Sequence, residues 1–233
     1  MRSLLVPPRS REREMLDAPD VDPALVTRSL RDVARSNRLF GGRSAAIEEF
    51  KAALSELPRC ASLLDVGTGL GDIPRHAREV ADENGIELTA FGLDAAEELA
   101  RASKAAVHFA VCGNALTLPF ASRSIDVVMC SQVLHHFSRA DGVALLREMD
   151  RVARVRVIVS DLRRSRIAAV GLWLASFPLR FHAVSRHDGV VSVMRGFTPA
   201  ELLDTVREAV TRPATVRRRR LFRVTTSWAP KHR

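Results

Sequence analysis

The chain lacks several residues and patterns that common protein classes require. It contains no tyrosine, which excludes the Tyr-x-x-x-Lys pair of one large class of nicotinamide-dependent dehydrogenases. Its cysteines form no C-x-x-C pair, so neither a zinc ribbon nor a thioredoxin-type redox motif is predicted. It has no apolar run of about 18 residues, the length that a membrane-spanning helix needs. The first residues contain an apolar run too short for a signal peptide. These absences together predict a cytoplasmic protein.

Lysine is also scarce, and it occurs only at Lys51, Lys104 and Lys231. The net charge of +9 therefore comes almost entirely from arginine. A basic balance is compatible with nucleic-acid or anionic-membrane partners. The arginines, however, are spread along the whole chain, which favours an ordinary solvated surface. The densest cluster, "RRRR" at 217–220, lies in a strand-like segment without the interleaved aromatic residues of a single-strand binder. We therefore expect no nucleic-acid partner.

A regular alternation of strands and helices occupies the middle of the chain. Strands are predicted at 62–67, 87–94, 107–111, 125–131 and 155–162, and helices at 72–83, 96–105, 139–153 and 199–210. The C-terminal end adds one or two further strands. Strand–helix units in series predict a Rossmann-like, doubly wound α/β fold. Its mostly parallel, seven-stranded sheet carries helices on both faces.

The two ends of this pattern suggest the domain organisation. Residues 1–22 are polar and proline-containing, and we expect a loose arm there, followed by a lid helix that ends at "NRLFGG". The arm and the lid helix make up residues 1–42, and one domain covers 43–233. Residues 163–197 interrupt the alternation after the fifth strand. We interpret them as a cap insertion, because ligands bind at the carboxyl ends of parallel strands. A buried helix and a peripheral membrane contact through 167–184 remain alternatives.

The stretch "LDVGTGLGD" at 64–72 carries the strongest chemical signal. Gly67 and Gly69 match the first two positions of the dinucleotide-binding G-x-G-x-x-G pattern, but its third position falls on Asp72. The fit is instead to acidic-x-G-x-G-x-G, with Asp65 and Gly71 completing it. An aspartate beside the glycines is a poor neighbour for a pyrophosphate and a good one for a cationic ligand. Asp94, at the end of the next strand, can accept hydrogen bonds from ribose hydroxyls.

This loop resembles motif I of the class I S-adenosylmethionine-dependent methyltransferases. The stretch "CGNALTLPFASRSIDVVMCSQVLHHF" at 112–137 is similar to that family's later motifs, with Asn114 where the family usually has an adenine-contacting aspartate. The segments 37–42 and 185–203 resemble bacterial small-molecule members of the type 11 or UbiE-like kind. The resemblance implies S-adenosylmethionine as the cofactor. The cofactor-binding residues that we predict are Asp65, Gly67, Thr68, Gly69, Gly71, Asp94, Ala95, Asn114, Ala115, Ser131, Gln132 and Arg38.

The resemblance implies methyl transfer, by O- or C-methylation. The apolar stretch at 167–184 favours a small, fairly apolar acceptor such as a phenol, a quinol or a polyketide. His187 is the first candidate for a base and His136 the second. Because His135 and His136 are adjacent, we expect at most one of them to face the pocket. No metal is predicted, and the oligomeric state stays open. A nucleic-acid methyltransferase is one alternative, although "SQVLHH" replaces the N/D-P-P-Y/F motif of base-amine enzymes. A non-catalytic cofactor-binding partner protein is another.

Overall fold

The computed structural model describes residues 6–17, 22–211 and 213–230; residues 1–5 and 18–21 of the predicted arm lie outside them. The strands are β1 Cys60–Val66, β2 Glu87–Asp94, β3 Phe109–Cys112, β4 Ile125–Ser131, β5 Ala153–Leu162, β6 Thr215–Arg219 and β7 Arg223–Trp228. They form a seven-stranded sheet in the order β3-β2-β1-β4-β5-β7-β6. The first five run parallel, and β7 pairs antiparallel with β5 and β6. The predicted fold class is confirmed.

Helices cover both faces of this sheet. They are α1 Pro23–Leu39, α2 Gly42–Ala53, α3 Asp72–Asp82, α4 Glu97–Ser103, α5 Arg139–Val152, α6 Arg166–Ser176, α7 Ala183–Arg195 and α8 Pro199–Ala209. Successive strand side chains point to opposite faces. Leu64 and Val128 therefore belong to the core that includes side chains of α5 and α8. Leu63 and Val127 belong to the core on the other face, with side chains of α2 and α3.

The register brings the ends of the central strands to one edge. Val66 at the end of β1 pairs with both Leu93 and Cys130, and Asp94 pairs with Cys112. The turns that follow β1, β2, β3 and β4 consequently lie side by side. These turns and the strand ends that precede them contain all the predicted cofactor residues except Arg38, which lies in α1.

The segment 163–197 forms α6 and α7, which pack against each other after β5. Within the part of the chain that the structure describes, none of the helices combines the length and the apolar character needed to cross a membrane. The described arm segment 6–17 is not loose, which corrects the expectation for that stretch. The backbone N–H groups of Met15 and Leu16 donate to the Asp188 carboxylate, and Arg9 donates to the Arg195 carbonyl. The arm is thus fastened along α7.

The arginine run at 217–220 lies on β6 and the turn after it, as the strand-like pattern predicts. Arg217 and Arg219 both pair with Glu49, at 3.0 and 2.7 Å, and Thr225 also donates to this carboxylate. The Glu49 side chain is almost fully buried. These hydrogen bonds and ion pairs hold the pKa of Glu49 below its usual value against the opposing effect of burial. Two arginines of the run therefore fasten α2 to the sheet.

Candidate active site

The glycine turn after β1 is held by the neighbouring strand. The backbone N–H groups of Gly67 and Thr68 both donate to the Leu93 carbonyl, at 2.8 and 3.0 Å. Gly67 has a φ of +73°, a conformation that residues with a side chain rarely adopt. A Cβ atom there would also lie 2.3 Å from Cγ2 of Val133. The backbone can therefore follow this path only with glycine at 67.

Gly69 has a different surrounding, because a Cβ atom built on it would meet nothing within 4 Å. Its N–H donates to Oδ2 of Asp94 at 3.0 Å, and the Ala96 N–H donates to Oδ1 at 3.2 Å. The Asp94 carboxylate is thus fixed at the open side of the turn and keeps acceptor capacity on both oxygens. Open space beside a fixed carboxylate fits the ribose role predicted for Asp94.

Asp65 lies in β1 just before this turn and is 2% exposed. Burial, with smaller contributions from Asp72 and Asp94, raises the pKa of Asp65 to about 8. A positively charged ligand would favour its ionised form. Ser131, at the end of β4, has a buried hydroxyl with no hydrogen-bond partner among the described residues. The glycine turn, the carboxyl groups and this hydroxyl together fit a polar, cationic cofactor such as S-adenosylmethionine.

The other predicted cofactor residues lie at the same edge, except Arg38 in α1. Asn114 is exposed, and its side-chain oxygen accepts the Leu116 N–H at 2.9 Å. Ala95 and Ala115 lie in the turns that follow β2 and β3. Gln132 has a φ of +57°, and its side chain donates to Oδ1 of Asn37 at 2.6 Å. Arg38 is exposed in the last turn of α1. Gln132 thus connects the strand edge to the predicted lid helix.

A cavity of about 360 Å³ lies beside Gln132, under α1, α6 and α7. Its lining is mostly apolar, which is typical of a site for a small organic ligand. The apolar side chains that line it are Val33, Phe40, Leu162, Ile167, Ala168, Leu172, Phe181, Val193, Leu221 and Phe222. The polar groups that reach it include Glu14, His135 and His136. The predicted insertion therefore lies over a cavity next to the strand ends.

His135 and His136 both line this cavity, so the expectation that at most one of them faces the pocket is wrong. They lie in a 3₁₀ turn, Leu134–His136, and not in a regular strand or helix. Their ring centroids are 4.3 Å apart. The tight turn is what lets two adjacent side chains point the same way.

His135 is 2% exposed and is fixed by Asp161, a fully buried residue of β5. Nδ1 of His135 lies 2.7 Å from Oδ1 of Asp161, and the His135 backbone N–H donates to Oδ2 at 3.1 Å. Burial lowers the pKa of His135, so its neutral form is favoured near pH 7. With Nδ1–H donated to the carboxylate, Nε2 carries the lone pair. This Nε2 makes no hydrogen bond within the described residues.

Glu14 brings the arm to the same place. Its Oε1 lies 3.8 Å from Nε2 of His135 and 3.8 Å from Nδ1 of His136. These three side chains place one potential metal-ligand atom each within 4.8 Å of one another, a cluster that the sequence analysis did not predict. Arg195 lies 4.0 Å from the same oxygen, and Ser192 donates to it. The carboxylate therefore already has cationic and hydroxyl partners.

His187, the first candidate for a base, does not line the cavity. Its ring pairs with Asp188 at 2.9 Å and with Glu12 at 3.2 Å. The hydrogen bond that the His187 ring donates to the Asp188 carboxylate raises the pKa of His187. Its two carboxylate partners tie α7 to the arm. The structure thus brings together His135, His136 and Glu14 and leaves His187 outside that group.

Comparisons with known proteins agree with this architecture. A family described as a methyltransferase domain matches residues 64–159. A demethylmenaquinone methyltransferase of Roseiflexus sp. (strain RS-1) is 34% identical over 125 residues, which are 49% of this chain and 47% of that protein. One of Deinococcus radiodurans is 34% identical over 158 residues, 65% of this chain and 61% of the relative. The chain thus spans about half to three fifths of the length of these curated relatives.

Among solved structures, a SAM-dependent methyltransferase from Aquifex aeolicus has the same fold. It aligns with a TM-score of 0.58 at 14% identity, and the alignment covers 91% of this chain and all of that one. The family match and the fold agree with the resemblance found in the sequence, and residues 64–159 are similar to the methyltransferase domains of that family.

Proposed function

We propose that the chain transfers a methyl group from S-adenosylmethionine to a small, largely apolar acceptor bound in the 360 Å³ cavity. The observation that carries the proposal is the position of this cavity. It adjoins Gln132 at the end of β4, on the edge of the sheet where the glycine turn and Asp94 lie. An apolar pocket beside a cofactor edge excludes water and aligns two reactants.

The cofactor would be held by the strand-end turns. We assign the ribose hydroxyls to Asp94, the cationic portion to Asp65 and close backbone contact to Gly69. When bound, S-adenosylmethionine supplies the methyl group and leaves as S-adenosylhomocysteine. The arm and α1, the predicted lid in residues 1–42, would help close the acceptor site, because Glu14 and Asn37 line the cavity.

His135 is our candidate for the proton acceptor. His135 lines the cavity, its buried Nε2 makes no hydrogen bond within the described residues, and Asp161 holds Nδ1–H. A hydroxyl of the acceptor would give its proton to Nε2 as the oxygen–carbon bond forms and the carbon–sulfur bond breaks. Asp161 would stabilise the resulting imidazolium, which is the role of a buried carboxylate behind a histidine base. His136 and Glu14 would then orient the acceptor.

The names of the relatives support an acceptor with a quinone-type ring, since both are demethylmenaquinone methyltransferases. A cavity of this size fits one or two fused rings. The nucleic-acid alternative is less well supported, because Arg217 and Arg219 are paired with Glu49. A purely cofactor-binding role is less well supported, because it assigns no role to the cavity or to the Asp161–His135 pair beside it.

The test separates cofactor binding from acceptor binding. Calorimetry with S-adenosylhomocysteine should show binding, and mass spectrometry should detect a methylated product from a panel of phenols and quinols. Leu172→Trp fills the cavity, so methyl transfer should fall at least about tenfold while S-adenosylhomocysteine binding is unchanged. Val170→Trp, on the exposed side of the same helix, is the matched control.

Absence of binding at millimolar S-adenosylhomocysteine would overturn the proposal. Equal turnover in the Leu172→Trp and Val170→Trp variants would show that the acceptor binds elsewhere. Tight RNA binding that weakens steeply with salt would favour the nucleic-acid alternative.

A further inference from the structure

One side of α6 exposes a continuous set of large apolar side chains to solvent. Val170 is 57% exposed, Trp173 47%, Leu174 56% and Phe177 47%. Their spacing of three and four residues places them on one face of the helix. The opposite side of α6 packs Ala169 and Leu172 inward, so the exposed apolar face is additional to the one that a helix normally turns toward the core.

The surroundings of this face are basic. The segment 163–187 contains no aspartate or glutamate. Arg166 begins α6 and Arg180 follows it, and both are exposed. The guanidinium of Arg186 stacks on the Phe177 ring at 3.8 Å, and that of Arg35 lies 5.7 Å from the Phe181 ring. An apolar stripe bordered by arginines is complementary to a surface with anionic headgroups above acyl chains.

The exposed face also continues into the cavity mouth. Ile167 belongs to the same side of α6, is 53% exposed and lines the cavity. Val33 and Leu221 share both properties, at 44% and 53% exposure. These three exposed side chains give the opening an apolar portion on the side of α6. A molecule dissolved in acyl chains could therefore reach the cavity without crossing a polar surface.

We propose that the α6 face, defined by Val170, Trp173, Leu174 and Phe177 with its bordering arginines, docks on the surface of an anionic lipid bilayer. With 11 residues, α6 is about 16 Å long, about half the thickness of a bilayer's hydrocarbon core. It would lie in the plane of the headgroups and not span the bilayer. The cavity mouth would then face the lipid. The docking does not depend on methyl transfer, and it would restrict the acceptor to molecules that partition into lipid.

Trp173 gives the test a direct reporter. The chain has two tryptophans, and Trp228 is 2% exposed. Vesicles of phosphatidylglycerol and phosphatidylcholine should shift the tryptophan emission to shorter wavelength and should carry the protein down in sedimentation. Pure phosphatidylcholine vesicles should bind at least about fivefold more weakly.

The double variant Val170→Ser with Leu174→Ser should lower the partition coefficient at least about tenfold. Neither side chain lines the cavity, so S-adenosylhomocysteine binding and turnover of a water-soluble acceptor should stay unchanged. Phe109→Ser is the matched control, because Phe109 is 54% exposed on β3 at the far edge of the sheet. That variant should bind vesicles as the wild type does.

Two results would overturn the docking. One is equal partitioning of the wild type and the double variant. The other is a wild-type dimer in analytical ultracentrifugation that the double variant converts to monomer, since the face would then be covered by a second copy. If the wild type binds no S-adenosylhomocysteine, the proposed function is refuted. The vesicle measurement would still test the docking, because it does not depend on cofactor binding.

Discussion

The protonation of Asp65 makes a quantitative prediction for cofactor binding. Because burial raises the pKa of Asp65 to about 8, the free protein holds this carboxyl protonated at pH 6 to 7. A cationic cofactor in contact with it would favour the ionised form. Binding at these pH values must then release close to one proton. Below pH 8, deprotonating Asp65 costs free energy and weakens cofactor binding. This cost disappears as the pH rises through 8, because Asp65 is then already ionised in the free protein.

The size of the effect follows from the same value. If the pKa in the complex falls below 6, the measured Kd exceeds its limiting value by a factor of about 1 + 10^(8 − pH). That factor is about 100 at pH 6 and about 2 at pH 8. The Kd for S-adenosylmethionine should thus become about 50-fold smaller over these two pH units.

Isothermal titration calorimetry measures both quantities. The Kd at pH 6, 7 and 8 gives the slope, and buffers with different ionisation enthalpies give the number of protons released. Asp65→Asn keeps the shape and removes the titration, so its Kd should change less than about threefold over the same range. Neighbouring Asp72 and Asp94, whose pKa values burial also raises, would account for that remainder. A wild-type Kd that is equal at pH 6 and pH 8, with no proton release, would refute the reasoning.

Three further substitutions test the site and the fold. His135→Asn should lower kcat about 100-fold or more with a hydroxyl acceptor if Nε2 takes the proton. The control His187→Asn should change kcat less than about twofold. Equal losses of kcat in the two variants, measured as methylated product formed over time, would contradict this assignment. Gly67→Ala should cost about 3 kcal/mol in urea unfolding, from its positive φ and the 2.3 Å approach to Val133, and a cost below about 1 kcal/mol would count against the turn geometry. Glu49→Gln should destabilise by about 3 kcal/mol, whereas Glu48→Gln, which loses an exposed pair with Arg219, should cost under about 1 kcal/mol; similar unfolding midpoints for the two would refute the buried role.

The elements of the fold were readable because their signals are local. The predicted strands at 87–94 and 125–131 coincide with β2 and β4. For α8, predicted at 199–210, Thr198 caps the helix with its hydroxyl and Glu201 completes the capping box. In each case a short run of residues contains both the periodic apolar positions of the element and the residues that begin or end it. No contact between distant segments is needed to recognise such an element.

The catalytic candidates were harder to predict because distant partners distinguish the histidines. In sequence, neither His135, in "VLHHF", nor His187, in "SRHDG", has a local pattern that identifies its partners. The fold gives His135 a fully buried carboxylate from β5, and it gives His187 an exposed partner from the arm. The position of Glu14 depends on the arm returning to α7, and no local pattern in "RSREREMLD" indicates that contact. Tertiary placement, and not residue type, determines which imidazole faces a ligand.

The cofactor half and the cavity half of the candidate site also differ in how well the sequence predicts them. The cofactor half is made from turns after consecutive strands, and nearly all of it falls within residues 64–159, where the family match lies. The cavity is built from Glu14 and from residues 32–40, 162–193 and 221–223, and within 64–159 only Gln132, His135 and His136 line it. Similarity to the family is therefore informative about the methyl donor and says little about the acceptor. In the proposed function the arm, α1, the α6–α7 insertion and the turn before β7 recognise the acceptor. Exchanging those segments between relatives should then change the acceptor and leave cofactor binding as it is.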